Sequence, residues 1–141
     1  KDQAEDHLTI TPTTYNTLKQ LKKKGITIIC ISTSPKNKKE AQRLLKRKIK
    51  LFKLDKFIDE SYPAQTYQQS KPEIIMKILK NKGISKKEAL MVGDTYSWDY
   101  KPMMDHNIDA LLIDSKYKKH PLNKKIRQRT IKNLKDLLKY I

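Results

Sequence analysis

Cysteine, glycine, arginine, acidic residues and large aromatics are all scarce in this chain of 141 residues, and each scarcity removes a class of architecture or function. The single cysteine, Cys30, cannot form an internal disulfide, which fits a reducing, cytoplasmic compartment. His7, His106 and His120 are scattered, with no cysteine to join them, so a zinc site is not expected. Three glycines leave no glycine-serine linker, and no repeat, low-complexity block or signal peptide is visible. No apolar run approaches the roughly 18 to 20 residues that cross a bilayer, so no membrane partner is expected. Acids number 15 against 32 bases, a net charge of +17. Such a charge favours nucleic acid, anionic surfaces or phosphorylated substrates. However, only Arg43, Arg47, Arg127 and Arg129 are arginines, the residue that phosphate forks prefer. A lysine excess with few glycines and many isoleucines and asparagines is also the usage of an AT-rich genome. Few aromatics interleave with the basic runs at 22–24, 46–48 and 116–125, so stacking on single strands is weakly supported. The expectation is weak, non-specific nucleic-acid binding at most, falling as salt rises by counterion release.

The chain is long enough, and at 37% hydrophobic apolar enough, for one domain over 1–141. Helical and strand patterns alternate. Thr11 can cap a helix with Pro12 in its first turn, Tyr15, Leu18 and Leu21 on one face, and Gly25 as its stop. A strand over 26–31 follows, then a helix over 37–49 and an apolar cluster at Leu51, Phe52, Leu54, Phe57 and Ile58 around a short helix or strand. A helix over 72–82 ends at Gly83, and Ser85 starts a turn into a strand over 89–92. Residues 102–106 read as a helix end, 110–113 as another buried strand, and 126–141 as a final amphipathic helix. Short apolar strands separated by helices predict an α/β fold, a three-layer, Rossmann-like parallel sheet covered on both faces. Ligands of such sheets bind beyond the carboxyl ends of the strands.

Three places along that pattern offer phosphate or metal chemistry. The run Leu90-Met91-Val92-Gly93-Asp94 delivers Asp94 and, five positions on, Asp99 into one loop after a strand, with Gly93 permitting a sharp exit. Hard carboxylate oxygens there suit Mg²⁺; equally, Asp99 could merely complement a helix dipole. The β-branched run 26–31 ends in Ser32, Thr33 and Ser34, whose hydroxyls and N–H groups suit an anion or, alternatively, an ordinary helix cap. Lys71, in the loop ahead of the helix that Pro72 opens, is either a phosphate-facing charge or one more solvated lysine.

Taken together, Ser32, Lys71-Pro72 and the GDxxxxD stretch from Gly93 to Asp99 resemble motifs II, III and IV of the haloacid dehalogenase-like (HAD) superfamily. The resemblance runs from about Thr11 to the final helix. Within the superfamily, Leu44-Leu45, Leu51-Phe52, Phe57 and Tyr62-Pro63 look like the small magnesium-dependent phosphatase group. The resemblance implies a Mg²⁺-dependent phosphatase acting on a phosphorylated metabolite or protein through an aspartyl-phosphate intermediate. Ser32 would bind the phosphate through its hydroxyl and Thr33 through its backbone N–H. Lys71 would neutralise charge between nucleophile and phosphate, Asp94 would ligate Mg²⁺, and Asp99 would orient the lysine or a metal-bound water. A large cap between motifs II and III is not expected, because a helix and a short hydrophobic connection use up the residues from Pro35 to Ser70.

The superfamily's first motif, an aspartate nucleophile in D-x-D-x-[TV], does not occur in these residues. Asp2 and Asp6 come nearest, but they are four apart rather than two and follow no apolar strand. The chain opens on Lys1, so the expectation is a HAD-like sheet incomplete at its N-terminus and lacking its central strand. The other reading of the same residues is a degenerate HAD fold that binds protein or nucleic acid without catalysis. Oligomeric state is not legible here.

Overall fold

The structure is a computed structural model that describes residues 12–65, 71–114 and 123–141. Thr11, Asp2, Asp6, His7, His120 and Ser70 lie outside the described residues. The chain divides into two compact units, Lys1–Gln68 and Gln69–Ile141, and each is described by itself.

In the first unit, helix α1, Pro12–Lys23, stops at Gly25, whose φ of +78° lies in the left-handed region that a Cβ disfavours. Leu18 and Leu21 are buried as the periodicity predicts, and Thr17 joins them because its hydroxyl donates to the Thr13 carbonyl at 2.9 Å. Tyr15 is half-buried, with its hydroxyl donating to the Phe52 carbonyl and its ring tilted against Phe57.

Strand β1, Ile29–Ser34, starts later than the apolar run and extends through the hydroxyl residues. Tertiary pairing is the reason. The strand runs parallel to β2, Glu60–Gln65, in a register that sets Ser32 opposite Pro63 and Thr33 opposite Ala64. Residues ahead of Ile29 are drawn off by Asp59, whose carboxylate accepts from the Ile28 N–H at 2.7 Å and Lys22 Nζ at 2.5 Å. Strand β2 was not legible in the hydropathy pattern, since Glu60, Ser61 and Gln65 are polar and Pro63 argues against a central strand. Among the described residues β2 is paired on one side only, where a proline is tolerated.

Between them lies α2, Lys38–Leu51, with Ala41, Leu45 and Ile49 buried at helical spacing. Asn37 caps it, the side-chain oxygen accepting from the Glu40 N–H at 2.9 Å. An Asn37→Ala variant is expected to lose about 1 kcal/mol in urea unfolding, and Asn37→Gly only a few tenths. Equal losses would show that the side-chain bond contributes nothing.

The second unit begins with α3, Lys71–Lys82, which buries Pro72, Ile74, Ile78 and Leu79. Lys71 is thus the first residue of the helix rather than part of the preceding loop. A 3-10 turn, Lys86–Glu88, leads into β3, Leu90–Gly93, and a π-helical turn, Tyr96–Tyr100, runs directly into α4, Lys101–Asp105. Strand β4, Asp109–Ile113, pairs parallel with β3, and β5, Thr130–Ile131, pairs parallel with β4. Met103, Ile108, Ala110 and Leu112 are at most 1% exposed and centre the core, joined by Tyr100 and Ile126.

The C-terminal residues correct the sequence reading. In place of one helix over 126–141 there is α5, Lys124–Gln128, then β5, then a 3-10 turn, Leu134–Tyr140. Two effects override the helical periodicity. The β4 edge offers partners to the β-branched pair Thr130-Ile131, with Leu112 N–H donating to the Arg129 carbonyl at 2.9 Å and Asp114 N–H to that of Ile131 at 2.7 Å. Asn133 then starts a new turn by accepting from the Asp136 N–H. Arg129 is held in this arrangement by Asp109 at 2.6 Å and lies over the Tyr140 ring.

Among the described residues every strand pairing is parallel, as expected for an α/β fold. Among the described residues β1 pairs only with β2, and β3 only with β4. Accordingly β1 and β3 are half-buried along most of their length, whereas the middle of β4 is buried. Among the described residues no helix is long and apolar enough to cross a membrane.

Candidate functional site

The second unit gathers three of the residues singled out from the sequence, and the loop after β3 does most of the work. Asp99 sits in the π-helical turn, 4% exposed. Lys71 Nζ lies 2.6 Å from Asp99 Oδ1, and the Thr95 N–H donates to Asp99 Oδ2 at 3.1 Å. Both carboxylate oxygens are therefore engaged. The side chains of the pair are 12% and 5% exposed, so the ion pair is shielded from water. Asp99 thus does more than complement a helix dipole: it is the buried counter-ion that holds the Lys71 ammonium at the start of α3.

Gly93 is required here for a reason that its place at a strand exit did not reveal. A Cβ added at Gly93 would overlap the carboxylate of Asp99. The residue therefore gives up its side chain to let Asp99 approach the end of β3, and its φ is not in the left-handed region.

Asp94 is exposed one residue beyond the strand, and its Oδ1 accepts from the Thr95 hydroxyl at 3.1 Å. Among the described residues no three acidic, histidine or cysteine side chains converge in the manner of a complete protein-built metal site. Mg²⁺ does not need one, since it keeps several waters and usually takes one or two carboxylates plus substrate oxygens. Asp94 fits as one such ligand. Asp99 does not, because its oxygens are already committed to Lys71 and Thr95.

Next to Asp99, burial pushes the Tyr100 hydroxyl above its ordinary pKa, opposed by the Arg129 charge and reinforced by Asp109. Tyr100 is therefore a neutral wall of the core at physiological pH.

Ser32 and Thr33 belong to the first unit, where they lie in the β1–β2 ladder near its carboxyl end, half-buried and exposed respectively. Sequence reading missed Thr95, which contacts both carboxylates. The only available signal was a hydroxyl residue next to Asp94, which gives no indication of two such contacts.

Over 86 residues the chain is 34% identical to pyrophosphatase PpaX of Bacillus cereus (strain AH820), a match covering 60% of this chain and 37% of that protein. This chain therefore spans well under half the length of that curated relative. Among solved structures, a HAD phosphatase from Thermococcus onnurineus aligns with a TM-score of 0.75 at 24% identity, over 99% of this chain and 61% of the other. An uncharacterized protein from Listeria monocytogenes serotype 4b aligns with a TM-score of 0.69 at 22% identity, over 94% and 83% of the two chains. At such identities the structural likeness concerns the fold, which is HAD-like. Residues 1–113, which include Ser32, Lys71, Asp94 and Asp99, match the sequence model of one family, and by that match the chain belongs to the haloacid dehalogenase-like hydrolases.

Proposed function

We propose that this chain supplies the phosphate-binding, lysine and metal-binding part of a Mg²⁺-dependent phosphatase. The observation that carries this reading is the shielded Lys71–Asp99 pair beside an exposed Asp94 at the carboxyl end of β3. A largely shielded ammonium held by one carboxylate points in a fixed direction, which suits the charge that develops on transferring phosphoryl oxygens. The residues divide the task. Ser32 binds the phosphate by its hydroxyl and Thr33 by its N–H, Lys71 neutralises charge on the oxygens, and Asp99 fixes the direction of Lys71. Asp94 would hold Mg²⁺, which when bound supplies further neutralisation of the phosphate. The nucleophile in this reading is an aspartate of the D-x-D-x-[TV] type, which attacks phosphorus and is freed again by water. The substrate is a phosphorylated metabolite or protein, and a cytoplasmic setting agrees with a chain that cannot form an internal disulfide.

Calorimetric titration with Mg²⁺ tests the division between the two carboxylates. In the nucleophile-containing protein, Asp94→Asn is expected to weaken binding by about tenfold or more, while Asp99→Asn, altering a group whose oxygens face Lys71 and Thr95, has a much smaller effect. Equal losses in the two variants would refute the assignment of Asp94 as the ligand.

A further inference from the structure

We propose that Thr95 is the positioning residue of this loop: its hydroxyl aims Asp94 at a divalent cation while its peptide group holds Asp99 against Lys71. The inference rests on the Mg²⁺ reading above. Four hydrogen bonds converge on this residue. Its Oγ1 donates to Asp94 Oδ1 at 3.1 Å and its N–H donates to Asp99 Oδ2 at 3.1 Å. Its carbonyl accepts from the N–H groups of Asp99 at 2.8 Å and Tyr100 at 3.2 Å.

The five-residue spacing from Asp94 to Asp99 explains the convergence. An α-helical turn closes from i to i+4, but here the Tyr100 N–H also reaches the Thr95 carbonyl, widening the turn to the π form. The wider turn brings the Asp99 carboxylate back over the Thr95 N–H and against Gly93. Thr95 itself is extended, at φ −115° and ψ 119°, a backbone that a β-branched residue favours. Its hydroxyl is thereby held beside Asp94. Donation to one carboxylate oxygen restricts the Asp94 rotamer and leaves the other oxygen for a cation, as hydrogen-bond partners of metal ligands do elsewhere.

The test uses the polypeptide that also carries a strand ending in D-x-D-x-[TV], with Mg²⁺ alone, followed by NMR shifts of the amides of residues 93–99 together with the thermal midpoint. Thr95→Val keeps the peptide group and the β-branching and loses only the hydroxyl. It is expected to weaken Mg²⁺ binding about tenfold, the lower end of the range for such partners because this bond is exposed, with an unchanged midpoint. Thr95→Ser restores the affinity to within about twofold, the hydroxyl donor being retained. In an Asp94→Asn background, Thr95→Val adds no further loss, since the two side chains act through one contact. Wild-type affinity in Thr95→Val, with Asp94→Asn still weakening binding, overturns the role of Thr95 and leaves the metal reading standing. An affinity loss that tracks a fall in the midpoint also overturns it, by showing a structural role. No response to Mg²⁺ in the wild-type chain, or none to Asp94→Asn, removes the metal reading and the proposal together.

Discussion

A Lys71→Met variant is expected to lose about 3–5 kcal/mol of stability, because it leaves the Asp99 charge buried without its counter-ion. The size of the effect follows from the environment of Asp99. Asp99 is 4% exposed and its carboxylate lies against the Gly93 backbone, so a short side chain has little access to water. The Thr95 N–H remains as a partner but carries no full charge. The reverse change is expected to cost less. In Asp99→Asn the lysine ammonium stands on a flexible four-carbon stem at a helix start, 12% exposed already, and can turn toward solvent. The double variant Lys71→Met/Asp99→Asn is expected to lie closer to wild type than Lys71→Met alone, since no charge is then buried unpaired. Urea unfolding of the four proteins measures this. If Lys71→Met is within about 0.5 kcal/mol of wild type, a range ordinary for surface changes, the pair is not the shielded interaction described here. The double variant also separates fold from chemistry: in a protein with phosphatase activity it should remain inactive despite its recovered stability.

The second large effect concerns turnover itself. The 141 residues contain no D-x-D-x-[TV], so a polypeptide of just this sequence is expected to show no Mg²⁺-dependent hydrolysis of p-nitrophenyl phosphate. Without an attacking carboxylate no covalent intermediate forms, and without the second carboxylate of that motif a cation held by Asp94 lacks a ligand. Both losses fall on one site, so they compound rather than add. A polypeptide that also carries a strand ending in D-x-D-x-[TV] is expected to be active, and Lys71→Ala or Ser32→Ala in it to lose most of that activity. Activity in rigorously purified chain 1–141 would make Asp2 or Asp6 the first suspects as nucleophile. Inactivity of the extended polypeptide would favour a HAD fold that only binds.

Much of the fold was legible because its signals are local. Gly25 ending α1, Pro72 in the first turn of α3, and the apolar run of β4 act within a few residues of themselves. The phosphate and metal candidates were legible for the same reason, since Lys71-Pro72 and Gly93 to Asp99 are short contiguous patterns. Where an element depends on a partner far away in sequence, the pattern misled. Strand β2 is polar and contains Pro63, and it exists because β1 pairs with it. The helical periodicity of 126–141 is real, yet the β4 edge offers Thr130 and Ile131 a better set of backbone partners.

The loop after β3 divides in the same way. By itself the sequence determined that two carboxylates follow a strand and that a lysine opens a helix, because residue type and spacing are all that this requires. Only the tertiary structure decided that Asp99 is buried and spoken for while Asp94 faces water, that Gly93 is glycine to admit a carboxylate, and that Thr95 touches both acids. Those facts depend on where the chain turns back in space, on a π-helical turn that wraps Asp99 over Thr95 and on a helix start 28 residues upstream that brings the ammonium to it.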